Sequence, residues 1–417
     1  MSPARRPFPL LLAVVALAFA APAPADDSII VGMSAAFTGP SRGLGIELYR
    51  GSMAWFDEVN EKGGVHGRKI VLKTYDDGYN PVPAIENTVK LIEQDHAFVL
   101  FDYVGTPTVT RVLPLLKRHE NDKIFLFCPF TGAEPMRRPP YDQFVYNLRA
   151  SYGDETAGLV KHFVEIGRKK IAVFYQIDAY GRSGWEGVRE ALAKQDPPLA
   201  IAAEATYRRG ANFTDSMKPQ VEILHAADPD AVICVGAYAA CAAFIRDARD
   251  AGWGVPIANV SFVGSENLFS LLQKADADAH KGYTHDLINS QVVPNPYSDL
   301  PGVKLYREMM EKHHPDLPAI ADQDYQPLPD SFVSLEGFLN ARLLTEVLDQ
   351  LGDDPKRDAL PKAAESIKEF NLGIAAQAAF GPGKRQAMDH VYYTVASAQD
   401  GRFVRLKDEE WRERWGR

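Results

Sequence analysis

Cysteine is scarce in this chain: Cys128, Cys234 and Cys241 are the whole complement of its 417 residues. An odd and small number rules out a disulfide-stapled scaffold. Cys234 falls in an apolar strand run and Cys241 in the helix after it, so a bridge between them is conceivable, although buried apolar thiols are the simpler expectation. Cys128 ends a strand just before a loop of interest below and is placed to line a cleft. No Cys/His grouping at zinc spacing accompanies them, and neither metal nor cofactor is expected. Positive charge is also in deficit. The 46 Lys and Arg residues face 55 Asp and Glu, a formal net charge of −9, which argues against nucleic acid as a partner. Long apolar runs are missing apart from residues 10–20, which are too few to span a bilayer as a helix. Arg5 and Arg6 precede that run and Ala23-Pro24-Ala25 follows it, the pattern of an export signal over residues 1–25 cleaved near Ala25. The remaining chain is expected to be soluble, exported and not inserted in a membrane.

Catalytic signatures are missing as well. There is no G-x-S-x-G elbow, no phosphate loop and no H-E-x-x-H. Gly381-Pro382-Gly383-Lys384 lacks the full phosphate-loop spacing and reads as a turn. Asp76-Asp77 and His285-Asp286 are the pairs that could serve acid/base work, but a solvated turn capping the next helix is the better reading of the first. His280, His285 and Asp286 fit no standard metal spacing, and His313-His314 read as surface residues. No enzyme is expected.

What the chain has in abundance is alternation. Residues 28–36 form an apolar strand that runs through Thr38-Gly39-Pro40 and a turn containing Gly43 and Gly45 into a helix with Met53, Phe56 and Val59 on one face. Gly63-Gly64 stops that helix. Strand 69–75 then leads to a helix capped by Asn80 with Pro81 at its first position. The rhythm continues through strands at 98–101, 123–128, 171–175, 199–207, 231–235 and 260–263, with helices at 109–119, 156–167, 184–194, 213–225 and 239–251. Continuously apolar strands separated by helices belong to parallel sheets covered on both faces. There are too many units for one compact sheet, so two are expected. Beyond Gly282 a crossing strand (283–293), helices at 303–313 and 331–351, and a hairpin of 391–396 with 403–406 follow. The charged tail 407–417 reads as peripheral.

Ligands of open α/β sheets sit at the carboxyl ends of the strands. Gly105-Thr106-Pro107-Thr108 and Pro129-Phe130-Thr131-Gly132-Ala133-Glu134 follow adjacent strands and present N–H groups and hydroxyls suited to an anion. Together they make a carboxylate cradle without an arginine. In the second half, Asp178-Ala179-Tyr180-Gly181, Gly236-Ala237-Tyr238 and Gly264-Ser265-Glu266-Asn267 hold corresponding positions. Tyr180 and Tyr238 offer flat walls with polar tips, and Glu266 either caps its helix or pairs with an ammonium group.

These loops and the opening segment 38–68, which ends in Gly63-Gly64-Val65-His66-Gly67-Arg68, resemble the type 1 periplasmic solute-binding proteins, the family of the leucine/isoleucine/valine-binding protein. A second signature of that family is similar to Gln176-Ile177-Asp178-Ala179-Tyr180-Gly181-Arg182. The resemblance implies two doubly wound parallel-sheet lobes joined by a three-strand hinge, residues 27–147 with 292–383 forming one and 148–291 with 384–417 the other. It implies a small carboxylate-bearing solute, such as an amino acid, amide or aromatic acid, and a periplasmic location with an ABC-type membrane permease as partner. Its carboxylate would lie near Gly105, Thr106, Thr131 and Gly132, its amino group near Glu266, with Asp178, Tyr180 and Tyr238 on the facing lobe. Leu44 stands where such binders place an aromatic. Phe130 enters where they carry a small residue, and with Tyr103 it favours a flat ligand. The alternatives are a ligand-sensing partner of a membrane receptor and, more distantly, a hydrolase using one of the two pairs above.

Overall fold

The computed structural model describes residues 28–417; the export signal expected over residues 1–25 lies outside the described residues. The first lobe begins with β1 (Ile29–Ala35), α1 (Arg42–Glu61), β2 (Ile70–Asp76), α2 (Pro81–Glu93), β3 (Val99–Phe101), α3 (Thr106–Arg118), β4 (Leu126–Phe127) and β5 (Val145–Tyr146). These strands form a five-stranded sheet in the order β2-β1-β3-β4-β5, with every pairing parallel. The second lobe takes α4 (Tyr152–Glu165), β6 (Ile171–Gln176), α5 (Ala179–Ala193), β7 (Ala203–Tyr207), α6 (Lys218–Ala226), β8 (Ala231–Val235), α7 (Tyr238–Asp250), β9 (Ile257–Asn259), α8 (Ser265–Ala279) and β10 (Leu287–Gln291). The chain returns through α9 (Pro301–His313), α10 (Phe332–Asp349), α11 (Leu360–Ser366) and the small ladder β11 (Phe370–Asn371) with β12 (Gln377–Ala378). It ends in β13 (Tyr392–Ser397), β14 (Arg402–Arg405) and α12 (Asp408–Trp415). The second sheet has seven strands in the order β14-β13-β10-β9-β8-β6-β7, and only the β13 pairings are antiparallel.

Local chemistry explains the element starts that frame the cleft. Asn80 accepts from Val82 N to cap α2, Ser151 and Asp154 form a reciprocal capping box on α4, and Ser331 accepts from Ser334 N to cap α10. Gly63 and Gly64 end α1 at φ values of 102° and 79°, the left-handed conformation glycine adopts without penalty. The central strands β3 and β8 are buried along their whole length, as two covered faces require. The chain passes between the lobes three times. Asn147 N donates to Arg385 O, Ala387 N to Asn147 O and Met388 N to Leu148 O, so the first and third run side by side, while the second leaves β10 for α9.

Several expectations are corrected. Gly43 and Gly45 are not a flexible turn: both lie in the first turn of α1. The apolar run at 260–263 is not a strand. The strand is β9, and Ser261–Val263 is a 3-10 turn, held by Ser261 N donating to Glu155 Oε2 at 2.7 Å. Helix α6 starts at Lys218, later than the periodicity predicts, and β7 starts at Ala203. The tail is not peripheral. Trp411 and Trp415 of α12 are buried, Trp411 stacks on His162 at 4.6 Å, and Trp415 Nε1 donates to Asp286 Oδ1 at 2.8 Å. All three cysteines are free and buried, so no Cys234–Cys241 bridge exists.

Candidate functional site

The strand ends of the two sheets face each other, and the residues there are tied across the gap. On the first lobe, the Asp76 carboxylate accepts from Phe37 N, Thr38 N and Thr38 Oγ1 at 2.8, 3.2 and 2.6 Å, fixing the loop from β1 to α1. Asp77 is buried and accepts from Ser34 Oγ and Tyr79 N at 2.8 Å each. Burial pushes its carboxyl up to about 7, against the pull of those two hydrogen bonds. The pair is therefore not a solvated turn, and the cap of α2 is Asn80. Tyr79 follows at φ 61° and receives a hydrogen bond of 3.3 Å from Gln176 Nε2 at the end of β6 in the other lobe. Gly105 makes room for that ring. A Cβ there would meet Tyr79 Cε2 at 2.1 Å.

Thr106 and Thr131 do lie together, but their hydroxyls hydrogen-bond each other at 2.7 Å in a fully buried position. The Tyr152 phenol lies beside this pair without a hydrogen bond of good geometry, and Tyr152 N donates to Gly132 O at 2.8 Å. Contrary to the cradle expected without an arginine, a guanidinium reaches this corner. Arg149, from the first passage between the lobes, is 1% exposed, and its Cζ lies 4.6 Å from the centre of the Phe130 ring. Its Nη2 donates to Ser261 Oγ. Glu155 Oε1 stands 3.7 Å from the same Nη2, and Glu336 Oε1 3.6 Å from Nη1. The charges of these neighbours hold the Arg149 pKa above its ordinary value although burial, the largest influence, acts the other way. Burial raises the Glu336 carboxyl to about 7 against the attraction of Arg149. Arg137 packs behind the same loop, donating to Thr131 O, Ala133 O and Arg149 O.

On the second lobe, Asp178 caps α5 by accepting from Tyr180 N at 3.0 Å, and Tyr180 lies buried with its hydroxyl donating to Gly236 O at 3.3 Å. Tyr238 Oη accepts from Gly43 N across the lobes at 3.1 Å, and Leu44 packs where a Cβ on Gly264 would come within 2.7 Å of its Cδ2. Glu266 is neither exposed nor a cap of its own helix by its side chain alone. Its Oε1 accepts from Phe332 N, the first residue of α10 in the other lobe, at 3.1 Å. Its Oε2 has no partner among the described residues, and burial pushes the carboxyl up to about 8.

The structure thus brings together Leu44, Gly105, Thr106, Phe130, Thr131, Gly132, Asp178, Tyr180, Tyr238 and Glu266. Tyr103 stands apart, its hydroxyl 3.1 Å from Thr88 Oγ1 on α2 in the core of the first lobe. Tyr79, Arg149, Tyr152, Phe262 and Glu336 join the site without having been singled out from sequence. The one charged residue in the extended stretch 144–150 is the available signal for one of them. Elsewhere, Asp286 is occupied by Trp415, and His313 is no free surface residue, since it pairs with Glu58 at 2.9 Å. Glu58, Glu61 and His313 present ligand atoms close to one another, but the Lys312 ammonium already bridges the two carboxylates.

Two lobes with parallel sheets, strand ends opposed across a hinge, define a two-lobed binding protein. A sequence model of the periplasmic binding protein family matches residues 28–402, and the chain belongs to that family. It is similar to the Leu/Ile/Val-binding protein of Escherichia coli K12, with 25% identity over 186 residues, 44% of this chain and 49% of that protein; the match thus spans about half the length of that relative. Leu/Ile/Val-binding protein homolog 7 of Brucella suis is 26% identical over 356 residues, 82% of each chain. The solved structure of a possible leucine/isoleucine/valine-binding protein from Rhodopirellula baltica superposes with a TM-score of 0.80 at 31% identity, over 94% of this chain and 100% of that one. These relatives are binding proteins, not enzymes. No helix among the described residues is long and apolar enough to cross a membrane.

Proposed function

We propose that the protein captures a small carboxylate-bearing solute between its lobes in the periplasm and delivers it to an ABC-type importer. Residues 1–25 would direct export; residues 27–147 with 292–383 and 148–291 with 384–417 would be the bodies that close. The observation that carries this reading is the set of hydrogen bonds across the cleft: Gly43 N to Tyr238 Oη, Phe332 N to Glu266 Oε1 and Gln176 Nε2 to Tyr79 Oη. Such contacts form only when the lobes meet, so a ligand touching both rims shifts the population toward closure. The permease then recognises the closed form. The Thr106 and Thr131 loops serve the carboxylate, and Phe130, Tyr180 and Tyr238 enclose the body of the solute.

The test is a thermal-shift screen of amino acids, amides and organic acids, followed by calorimetry on whatever stabilises the protein. A dissociation constant near micromolar, about −8 kcal/mol, is expected. Tyr180→Ala should weaken the binding at least tenfold while the far-ultraviolet circular dichroism stays unchanged. A screen in which no solute raises the melting temperature defeats the proposal.

A further inference from the structure

We infer that Arg149 is the anion-binding residue of the cleft and that the solute is a flat aromatic carboxylic acid without an ammonium group. This rests on the solute-capture reading above and names its ligand class. Arg149 is a buried cation with unpartnered donors. It is 1% exposed, yet its Nε and Nη1 have no hydrogen-bond partner among the described residues. Its counter-charges balance it without satisfying it. Glu155 and Glu336 stand at 3.7 and 3.6 Å, and the Glu155 carboxylate is already taken by Ser261 N, Ser261 Oγ and Ser290 Oγ at 2.7, 3.0 and 2.6 Å. Idle N–H groups on a buried cation are costly, and a carboxylate is the acceptor that best relieves them.

The surroundings say what that carboxylate is attached to. Rings from both lobes converge beside the guanidinium. Phe262 of the second lobe lies 5.3 Å from Phe130 and 5.8 Å from Tyr79 of the first, and 4.6 Å from Tyr180 of its own lobe. Parting the lobes separates Phe130 and Tyr79 from Phe262, and an aromatic body entering there replaces ring–ring contacts with contacts of the same kind. The two carboxylates of this corner are already committed: Glu155 accepts from Ser261 and Ser290 and faces Arg149, and Glu336 faces Arg149 from the other side, so an ammonium group there would compete with the guanidinium. Arg149 and Arg137 both flank the Thr131 loop, and Glu266 is engaged with Phe332 N of the opposite lobe.

The experiment is calorimetry on the full exported chain at pH 7 with 3-phenylpropanoate, L-phenylalanine, 4-methylpentanoate, L-leucine and 3-phenylpropanamide. The first two share a skeleton and differ by the ammonium; the third and fourth do the same without a ring; the fifth removes the charge. 3-Phenylpropanoate should bind at least tenfold more tightly than each of the others. Arg149→Met should reduce its affinity at least a hundredfold, and Arg149→Lys should recover part of the loss by restoring charge. If the methionine variant does not fold, the wild-type comparison alone decides. An amino acid binding as well as its deaminated partner overturns the inference, as does the amide binding as well as the acid, or silence from all five. In each of these cases solute capture stands if the broad thermal-shift screen yields another ligand, and it falls only if that screen is silent.

Discussion

Two corners of the same cleft treat buried charge in opposite ways. Where the chain first passes between the lobes, Arg149 is buried beside two carboxylates and keeps its charge, with donors to spare. Where α8 meets α10, Glu266 is only partly buried as a residue, but its carboxylate is enclosed and faces no cation among the described residues, and its environment favours the neutral acid. The contrast shows what sets the fate of an ionisable group in a closed interface. Burial alone disfavours charge, and only a counter-charge or a full set of hydrogen bonds reverses it. On the inference above, the first corner is the one that would meet an anion. The other is built to join one lobe to the backbone of its neighbour.

The largest effect should come from unbalancing the charged corner. Glu155 accepts three hydrogen bonds and neighbours Arg149. Glu155→Ala strands both the donors and the cation, a change that costs about 3–5 kcal/mol when a buried pair loses one member. Denaturant melts followed by circular dichroism should show it plainly, with Glu155→Gln losing less because it retains an acceptor. A loss under about 1 kcal/mol would mean that Arg149 has no need of its carboxylate neighbours, and the contrast between the corners would collapse.

The same contrast explains what could be read from sequence. The βα alternation, the Asn80 cap and the glycine stop after α1 are local signals, and each occurs where the residues place it. The paired Thr106 and Thr131 loops were legible because adjacent strand ends put them together. Arg149 was not, because Phe130, Glu155, Ser261 and Glu336 reach it from separate elements of both lobes. The partner of Glu266 is a backbone N–H 66 residues further on, which no pattern in the Gly264–Asn267 loop announces. The 3-10 turn after β9 shows the same limit. Its residues are apolar enough for a strand, but Glu155 captures the Ser261 backbone and bends the chain. In the tail, Trp411 and Trp415 were visible as residues to bury, and the surrounding charge obscured them.

The neutral corner predicts a pH dependence with a definite sign. A carboxyl whose folded-state pKa is raised holds its proton longer in the closed protein than in the unfolded chain. It therefore destabilises the folded state progressively as pH climbs from the ordinary carboxylate range toward about 8. The melting temperature should fall between pH 5 and pH 8. Asp77 and Glu336, both raised to about 7, act in the same direction, so Glu266→Gln should flatten the slope rather than abolish it. A slope unchanged in that variant would place the Glu266 proton outside the closed interface.

The smallest effect sharpens the comparison most, because it isolates a neutral contact between the lobes. Tyr238→Phe deletes the hydroxyl that accepts from Gly43 N at 3.1 Å and leaves the ring and its burial in place. An unpaired N–H at this depth costs about 1 kcal/mol, and the cost falls on the closed form alone, since separated lobes expose that N–H to water. The expected outcome is a solute affinity reduced about fivefold with little change in the denaturant midpoint of the unliganded protein, measured by calorimetry and by fluorescence melts. An equal loss in both would assign the bond to the stability of the lobes themselves. An effect on affinity alone would assign the Tyr238 hydroxyl to closure, as a neutral counterpart of the bond between Glu266 and α10.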